Sequence, residues 1–358
     1  MLSTALALGL LASKPLILAH YMPWFEAPPV GKTWGWHWTM GSMDPTKTRD
    51  DRREIASHYY PQIGPYDSGD PDVLEYQTLM MKAAGIGGVV VDWYGREDVY
   101  DYAQIHRNTT RLIVALERVG MKFAICWEDQ TVPNLIKLSK VAEGETLAYA
   151  KKELDWMAAN WFARKSYVRA YGKPLLLVFG PQYYKDQAWT ELLATRSLSV
   201  FGVSGPHMFG NGGFAWPNFK DPSLSTFYGS ASGKPFIAGA LPRFHDYYAE
   251  ANLHASYGKI PDNDGQTFKA GLRQSLASGS PVVQIATWND WGEGTQIEPS
   301  REFGFRDLLA LNPKGQKRFE LIHALFLARK AKHPGAEKAA GYLRLGKDDL
   351  AARALKRP

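Results

Sequence analysis

The chain has one cysteine in 358 residues. Cys126 sits in the apolar run Phe123-Ala124-Ile125-Cys126-Trp127, so no intrachain disulfide can form and a cluster of thiolates around a metal is excluded. A buried small hydrophobe is the expected role. No apolar run is long enough to span a bilayer. The longest, Leu2–Ala12, has the length of a signal-peptide core but lacks a basic stretch before it. It reads as a secretion-signal remnant or as a helix capping one end of the fold, and the first reading places the protein outside the cytoplasm, secreted or periplasmic. Low-complexity segments and internal repeats are missing. No Gly-x-Gly-x-x-Gly turn or Walker loop follows an apolar run, which argues against a nucleotide fold. The formal net charge is +6, yet Lys and Arg are scattered except at Lys347–Arg357, and no zinc-finger, RNP or helix-turn-helix pattern accompanies them. Nucleic acid is therefore not the expected partner, while an anionic glycan stays open.

Aromatic residues are abundant, with 12 Trp, 18 Tyr and 16 Phe. A core alone seldom needs so many amphipathic rings, and many stand near the ends of apolar runs. Eight such runs read as strands: Pro15–His20, Gly88–Trp93, Lys122–Trp127, Pro174–Phe179, Leu198–Val203, Phe214–Trp216, Pro235–Ala240 and Pro281–Thr287. Segments with apolar spacing near 3.6 lie between them, at 73–84, 102–119, 145–162, 187–196, 266–278 and 317–331. Uninterrupted apolar strands alternating with helices predict a parallel sheet covered on both sides. Eight of them predict a single α/β (β/α)8 TIM barrel whose long strand-to-helix loops form a sugar-binding cleft. The catalytic domain is expected over 15–335, preceded by an extension at 1–14 and followed by a basic tail at 336–358. A monomer is expected.

In such barrels chemistry gathers at the carboxyl ends of the strands. Those positions here carry His20-Tyr21-Met22-Pro23-Trp24-Phe25, Asp92-Trp93-Tyr94, Trp127-Glu128-Asp129, His207, His245-Asp246-Tyr247-Tyr248 and the stretch Trp288–Pro299. The last holds Asp290 and Glu293, three residues apart among tryptophans and glycines. Paired carboxylates beside aromatic platforms suit glycosidic cleavage, in which one group protonates the leaving oxygen and the other acts as base or nucleophile. Glu293 is the candidate acid/base and Asp290 its partner. Glu128 is the candidate for substrate contact, and Asp92 either binds a sugar hydroxyl or fixes a loop. Tyr21, Trp24, Trp38, Trp93 and Trp291 are candidate stacking walls, with Tyr94 and Tyr247 beside them. His20, His37, His207 and His245 match no zinc spacing and are expected to bind sugar hydroxyls or pack loops, so no metal and no cofactor is expected. Glu298 is expected to brace the loop.

Several motifs, in order, carry a resemblance. His20–Phe25, Trp36-His37-Trp38, Ala56–Pro71, Ala84–Gly88 and Trp291–Pro299 resemble the corresponding motifs of glycoside hydrolase family 99, which contains endo-α-mannosidases and endo-α-mannanases. The resemblance implies a (β/α)8 barrel and a retaining, endo-acting α-glycosidase without a required metal. It implies that Glu293 is the general acid/base, that Glu128 is a substrate-binding carboxylate and that Tyr21 is its aromatic neighbour. Asp290 stands where the family has a glutamate that acts on the substrate 2-hydroxyl through an epoxide-like intermediate. One methylene less draws the carboxylate back by roughly 1.5 Å. The Asn-Asp-Trp-Gly-Glu and Val-Asp-Trp-Tyr-Gly forms also resemble a broader 71/99-like group, in which family 71 contains α-1,3-glucanases. The alternative function is a glycan-binding protein on a degenerate glycosidase barrel.

Overall fold

The computed structural model describes residues 14–203 and 212–356. Eight parallel strands close on themselves: β1 (Leu16–Tyr21), β2 (Gly88–Trp93), β3 (Lys122–Trp127), β4 (Lys173–Val178), β5 (Ser199–Val203), β6 (Gly212–Phe214), β7 (Phe236–Ala240) and β8 (Val282–Ile285). Each pairs with its neighbours in sequence, and β1 pairs with β8 in the register Leu16↔Val282. Strands β3 and β4 complete the ring with Ile125↔Leu176. All eight expected strands are present, within a few residues at their ends.

The pleat divides each strand's residues between two cores, because successive side chains point to opposite faces. Leu18, Val90, Ala124, Leu175, Leu177, Phe201, Phe214, Ile237 and Val282 fill the barrel interior. The alternate residues, among them Ala19, Val91, Phe123, Ile125 and Ile285, pack outward beneath the helices. One step further along the inward rows stand His20, Asp92, Cys126 and Gln284, all buried. The inward apolar layers thus give way to polar groups at the carboxyl end.

Helices α1 (Pro71–Ala84), α2 (Tyr102–Arg118), α3 (Thr146–Met157), α4 (Asp186–Leu193), α5 (Ser225–Ala231), α6 (Gln266–Ala277) and α7 (Gln316–Lys330) surround the barrel. The start of α1 follows from local chemistry: Asp70 caps it, accepting from the Asp72 N–H at 2.8 Å, with Pro71 at the first position. Gly85, at φ 87°, ends it in the left-handed conformation that glycine adopts without strain. Only eight residues separate β5 from β6, fewer than a crossover helix needs, and α5 is a helix that the Gly/Pro/Ser-rich composition of 204–234 did not announce.

The segment read as a basic tail is folded. Residues 336–356 form α8 (Ala336–Arg344) and α9 (Asp348–Lys356), which bury Ala339, Ala340, Leu343 and Ala351 against α7. Arg344 and Arg329 both reach the Glu75 carboxylate of α1, at 2.8 and 2.9 Å. The basic residues thus stitch the helical pair to the barrel, where the alanine-rich face has a partner. The N-terminal extension read at 1–14 lies, up to residue 13, outside the described residues. No helix among the described residues is long and apolar enough to cross a membrane.

Candidate active site

A cleft of about 520 Å³ opens at the carboxyl ends of the strands, floored by His20, Asp92, Glu128, Asp290 and Glu293. The strand-8 loop that carries the last two is tightly held. The Asn289 carboxamide pins it to the end of β1, accepting from the Met22 N–H at 2.8 Å and donating to the Met22 carbonyl at 2.9 Å. Thr287 accepts the Asp290 N–H at 2.8 Å, and Asp290 Oδ1 in turn accepts the Glu293 N–H at 3.0 Å. The chain after β7 braces the other side, with the N–H groups of His245 and Tyr247 donating to the carbonyls of Glu293 and Gly292. Gly294 sits there at φ 68°, and a Cβ on it would fall 2.7 Å from the His245 carbonyl oxygen, so only glycine fits.

Glu298 braces the same loop from beneath, as expected. Its carboxylate accepts from Tyr66 Oη and Gln77 Nε2, each at 2.7 Å, and from Trp291 Nε1 at 3.2 Å. Burial pushes it up to about 7.

Four carboxyl groups share the cleft floor with little to offset their charge. Glu293 is raised well above the usual carboxylate range, first by burial and then by the charge of Asp290; Tyr248 Oη, donating to Glu293 Oε1 at 3.2 Å, opposes the rise. Burial lifts Asp290 to about 6, against the pull of the Glu293 and Gly292 N–H groups and of His37. Asp92 and Glu128 share a hydrogen bond, and burial raises both, Asp92 further through the charge of Glu128. Gln130 donates to Glu128 from the side. His20 is pushed down to about 4 by burial, so it stands neutral beneath them. Of the pair, Glu293 is thus the better placed to hold a proton and Asp290 the better placed to lose one.

The aromatics divide in a way that differs from the expectation. Trp24 and Tyr94 line the cleft, together with His37, which stacks on Trp24 at 4.2 Å and bonds Asp101 at 3.1 Å. Tyr21, Trp38, Trp93 and Trp291 are fully buried and present no face to it. Tyr21 donates to Gln77, Trp38 to the Tyr66 carbonyl, and Trp93 to His106. The reason for Tyr21 and Trp93 is parity: each follows an inward residue, His20 or Asp92, and so points out beneath the helices. Trp36 and Trp38 lie on one helical turn, Trp36–Thr39, and two residues of helix turn a side chain by about 200°. Trp36, 49% exposed, is consequently the cleft-facing one. His245 stacks on His58 at 3.6 Å behind the strand-8 loop, and Tyr247 packs edge-on against His58 at 4.9 Å; neither lines the cleft. His207 lies outside the described residues.

Trp36, Tyr248 and Trp216 stand in stretches quoted from the sequence but not among its candidate site residues, and Gln130 is not singled out at all; all four line the cleft. Parity along β2 and β3 continues through Asp92–Tyr94 and Cys126–Glu128 and would have sorted inward from outward. No comparable signal distinguishes Tyr248 from Tyr247. A second cavity of about 580 Å³ adjoins the first, sharing Trp24, Trp36, His37 and Tyr94 and adding Tyr100, Tyr102, Glu26 and Asp101. Among the described residues no Lys or Arg lines either lobe. Replacing Trp36 by Ala is expected to raise KM about 2- to 10-fold with little change in kcat, as the loss of one stacking face. Initial-rate kinetics on a turned-over glycan check this, and an unchanged KM would remove Trp36 from the sugar path.

A closed parallel barrel with buried carboxylates and aromatic walls at its carboxyl end suits a carbohydrate-active hydrolase. Residues 14–209 match the family model described as glycosyl hydrolase family 99. The chain belongs to that family, and it is a glycoside hydrolase. Curated relatives include a glycoprotein endo-alpha-1,2-mannosidase-like protein of Danio rerio, 22% identical over 323 residues that span 78% of this chain and 69% of the relative. The glycoprotein endo-alpha-1,2-mannosidase of Xenopus laevis is 26% identical over 310 residues, 78% of this chain and 68% of that one. Among solved structures, the GH99 endo-alpha-mannosidase from Bacteroides thetaiotaomicron superposes with a TM-score of 0.61 at 19% identity, covering 86% of this chain and 98% of that one. This likeness shows the fold. The stretch matched by the family model ends before β7 and does not reach Asp290 and Glu293.

Proposed function

We propose that the protein is a retaining, endo-acting glycosidase for α-linked, uncharged glycans, with α-mannosides as the first class to try. The observation that carries this is the placement of Asp290 and Glu293 on one braced loop in the floor of the cleft, where burial and the charge of Asp290 raise Glu293. Glu293 would give its proton to the glycosidic oxygen as the C–O bond breaks. Asp290 would supply the electrons that replace that bond, either directly at the anomeric carbon or by taking the proton of the substrate 2-hydroxyl. Water then attacks the anomeric carbon and gives a proton to Glu293, displacing either the Asp290 carboxylate or the 2-oxygen, which takes its proton back from Asp290. Asp92 and Glu128 would hold sugar hydroxyls. Two adjoining lobes give room for sugars on either side of the cleaved bond, which supports endo action, and the absence of lining cations disfavours an acidic glycan. The names of the relatives support α-mannosides, and the apolar segment Leu2–Ala12 supports action outside the cytoplasm.

The test is reducing-end release from α-mannans and α-glucans, with an acidic polysaccharide as the negative control. Turnover of a neutral α-glycan supports the reading, and turnover confined to the acidic one overturns it. The engagement of Asp290 Oδ1 by the loop's own N–H favours one second reading, a glycan-binding protein without turnover. Binding of a glycan with no product at any enzyme concentration would mark it.

A bell-shaped pH profile follows. Activity needs Asp290 ionised and is lost as pH falls through about 6. It needs Glu293 protonated and is lost as pH rises through that group's raised pKa. Tyr248 stabilises the ionised form of Glu293, so Tyr248→Phe is expected to move the alkaline limb of kcat/KM to higher pH and leave the acid limb in place. An alkaline limb that stays put would mean that another group sets it.

A further inference from the structure

At the floor of the cleft, the inward rows of the first three strands bring together a constellation of which the glycosidase reading uses only Asp92. His20 of β1, Asp92 of β2 and Cys126 of β3 each offer one ligand atom, a ring nitrogen, a carboxylate oxygen and Sγ, all within 4.8 Å of one another. The three residues are essentially without solvent exposure. Two of their polar atoms, His20 Nε2 and Asp92 Oδ1, have no hydrogen-bond partner. Buried polar atoms nearly always have one, so two orphans within one such cluster point to something that belongs there.

The donor set narrows what that is. His20 Nδ1 lies 3.2 Å from Gln284 Oε1, an oxygen that can only accept, so the ring proton sits on Nδ1 and Nε2 turns a lone pair inward. A histidine anchored by its other nitrogen is the arrangement found at metal ligands. One nitrogen, one sulfur and one oxygen suit a borderline-soft divalent cation and not Mg²⁺ or Ca²⁺, which take oxygen ligands. Tetrahedral zinc places its ligand atoms roughly 3.5 Å apart, which small side-chain rotations would reach here.

We propose that His20, Asp92 and Cys126 form a three-ligand site for Zn²⁺ whose fourth position opens into the cleft, and that its occupancy inhibits the enzyme. On binding, the thiol gives its proton to solvent and the sulfur takes the cation as thiolate. Asp92 is drawn from Glu128 to the metal, and the metal's open position occupies the floor of the cleft. The metal is a brake and not a requirement. Only the inhibition rests on the glycosidase reading; the binding stands apart from it. Spacing along the chain could not show this site, because its ligands come from three strands separated by helices.

The test uses the full chain, freed of metal with a chelator and then titrated with ZnCl₂ by calorimetry and with Co²⁺ by absorbance. One Zn²⁺ per chain is expected, with proton release, and Co²⁺ should give a thiolate charge-transfer band in the near ultraviolet with the visible bands of a four-coordinate ion. Cys126→Ser, or Cys126→Ala if the first fails to fold, should lose that band and bind Zn²⁺ about tenfold or more weakly. It should keep glycan turnover in metal-free buffer while losing inhibition by Zn²⁺. Equal Zn²⁺ binding by the variant, no thiolate band, or no uptake by the wild type would overturn the proposal, the last meaning that a water or a sugar hydroxyl joins the orphans. Should every glycan remain uncut, the cobalt spectrum still decides the metal site.

Discussion

Glu293→Gln is expected to lower kcat by about 10³-fold while the glycan still binds, because removing a general acid forfeits a factor in the range of about 10²–10⁴. Glutamine keeps the shape and can still accept from Tyr248 Oη, so the loop should hold its form and the loss should fall on the chemical step. The burial that raises Glu293 also makes a neutral replacement easy to accommodate, and stability should not fall. An aryl glycoside whose leaving group needs no proton discriminates further. Its bond-breaking step should survive in the variant, whereas the natural glycan, whose leaving oxygen is strongly basic, should not be cut. Steady-state kinetics on both substrates check this. Turnover of the natural glycan within a few-fold of wild type would remove Glu293 from the acid's role.

The second large effect is on stability. Arg243, 1% exposed, donates through both terminal nitrogens to Asp307 Oδ2 at 2.8 Å, and Nη2 also reaches the Gln296 carbonyl at 2.5 Å. Its guanidinium lies over the Phe303 ring at 3.9 Å. It therefore ties the end of β7, the strand-8 loop and the helix beginning at Arg306 into one unit. Arg243→Met leaves Asp307 buried with Arg306 alone, 3.3 Å away, and frees the Gln296 carbonyl. Breaking one partner of a buried ion pair costs about 3–5 kcal/mol. Denaturant unfolding is expected to show that loss, and Arg243→Met combined with Asp307→Leu should recover part of it, since no uncompensated carboxylate then remains. A single variant within about 1 kcal/mol of wild type would mean that the pair is not the brace described.

Much of the architecture was legible because strands and helices are local. Val89-Val90-Val91 and Leu175-Leu176-Leu177 are apolar on both faces, which only a sheet covered on both sides accommodates, and Asp70-Pro71 with Gly85 marks both ends of α1. The stretch 204–234 was harder to read: β6 is three residues long and α5 seven, too short for periodicity to rise above composition. The helices of 336–356 were masked by their charge, since their buried face is mostly alanine, which carries little apolar signal.

At the site the same division holds. Residue types and order along the chain were enough for a (β/α)8 barrel with carboxylates, histidines and aromatics at the strand ends, and for the loop bearing Asp290 and Glu293. The two-residue period along a strand even contained the answer for Tyr21 and Trp93, which must point away from the cleft once His20 and Asp92 point towards it. Closure of the barrel decided the rest. Which of Trp36 and Trp38 faces the cleft depends on a single helical turn against a distant wall. The raised pKa of Glu293 depends on burial and on charges brought in from the ends of β3, β7 and β8, those of Glu128, Asp246 and Asp290. His20, Asp92 and Cys126 meet only because three strands far apart in the chain lie side by side. Pattern and turn chemistry act within a few residues, whereas burial and the convergence of charges are properties of the closed ring.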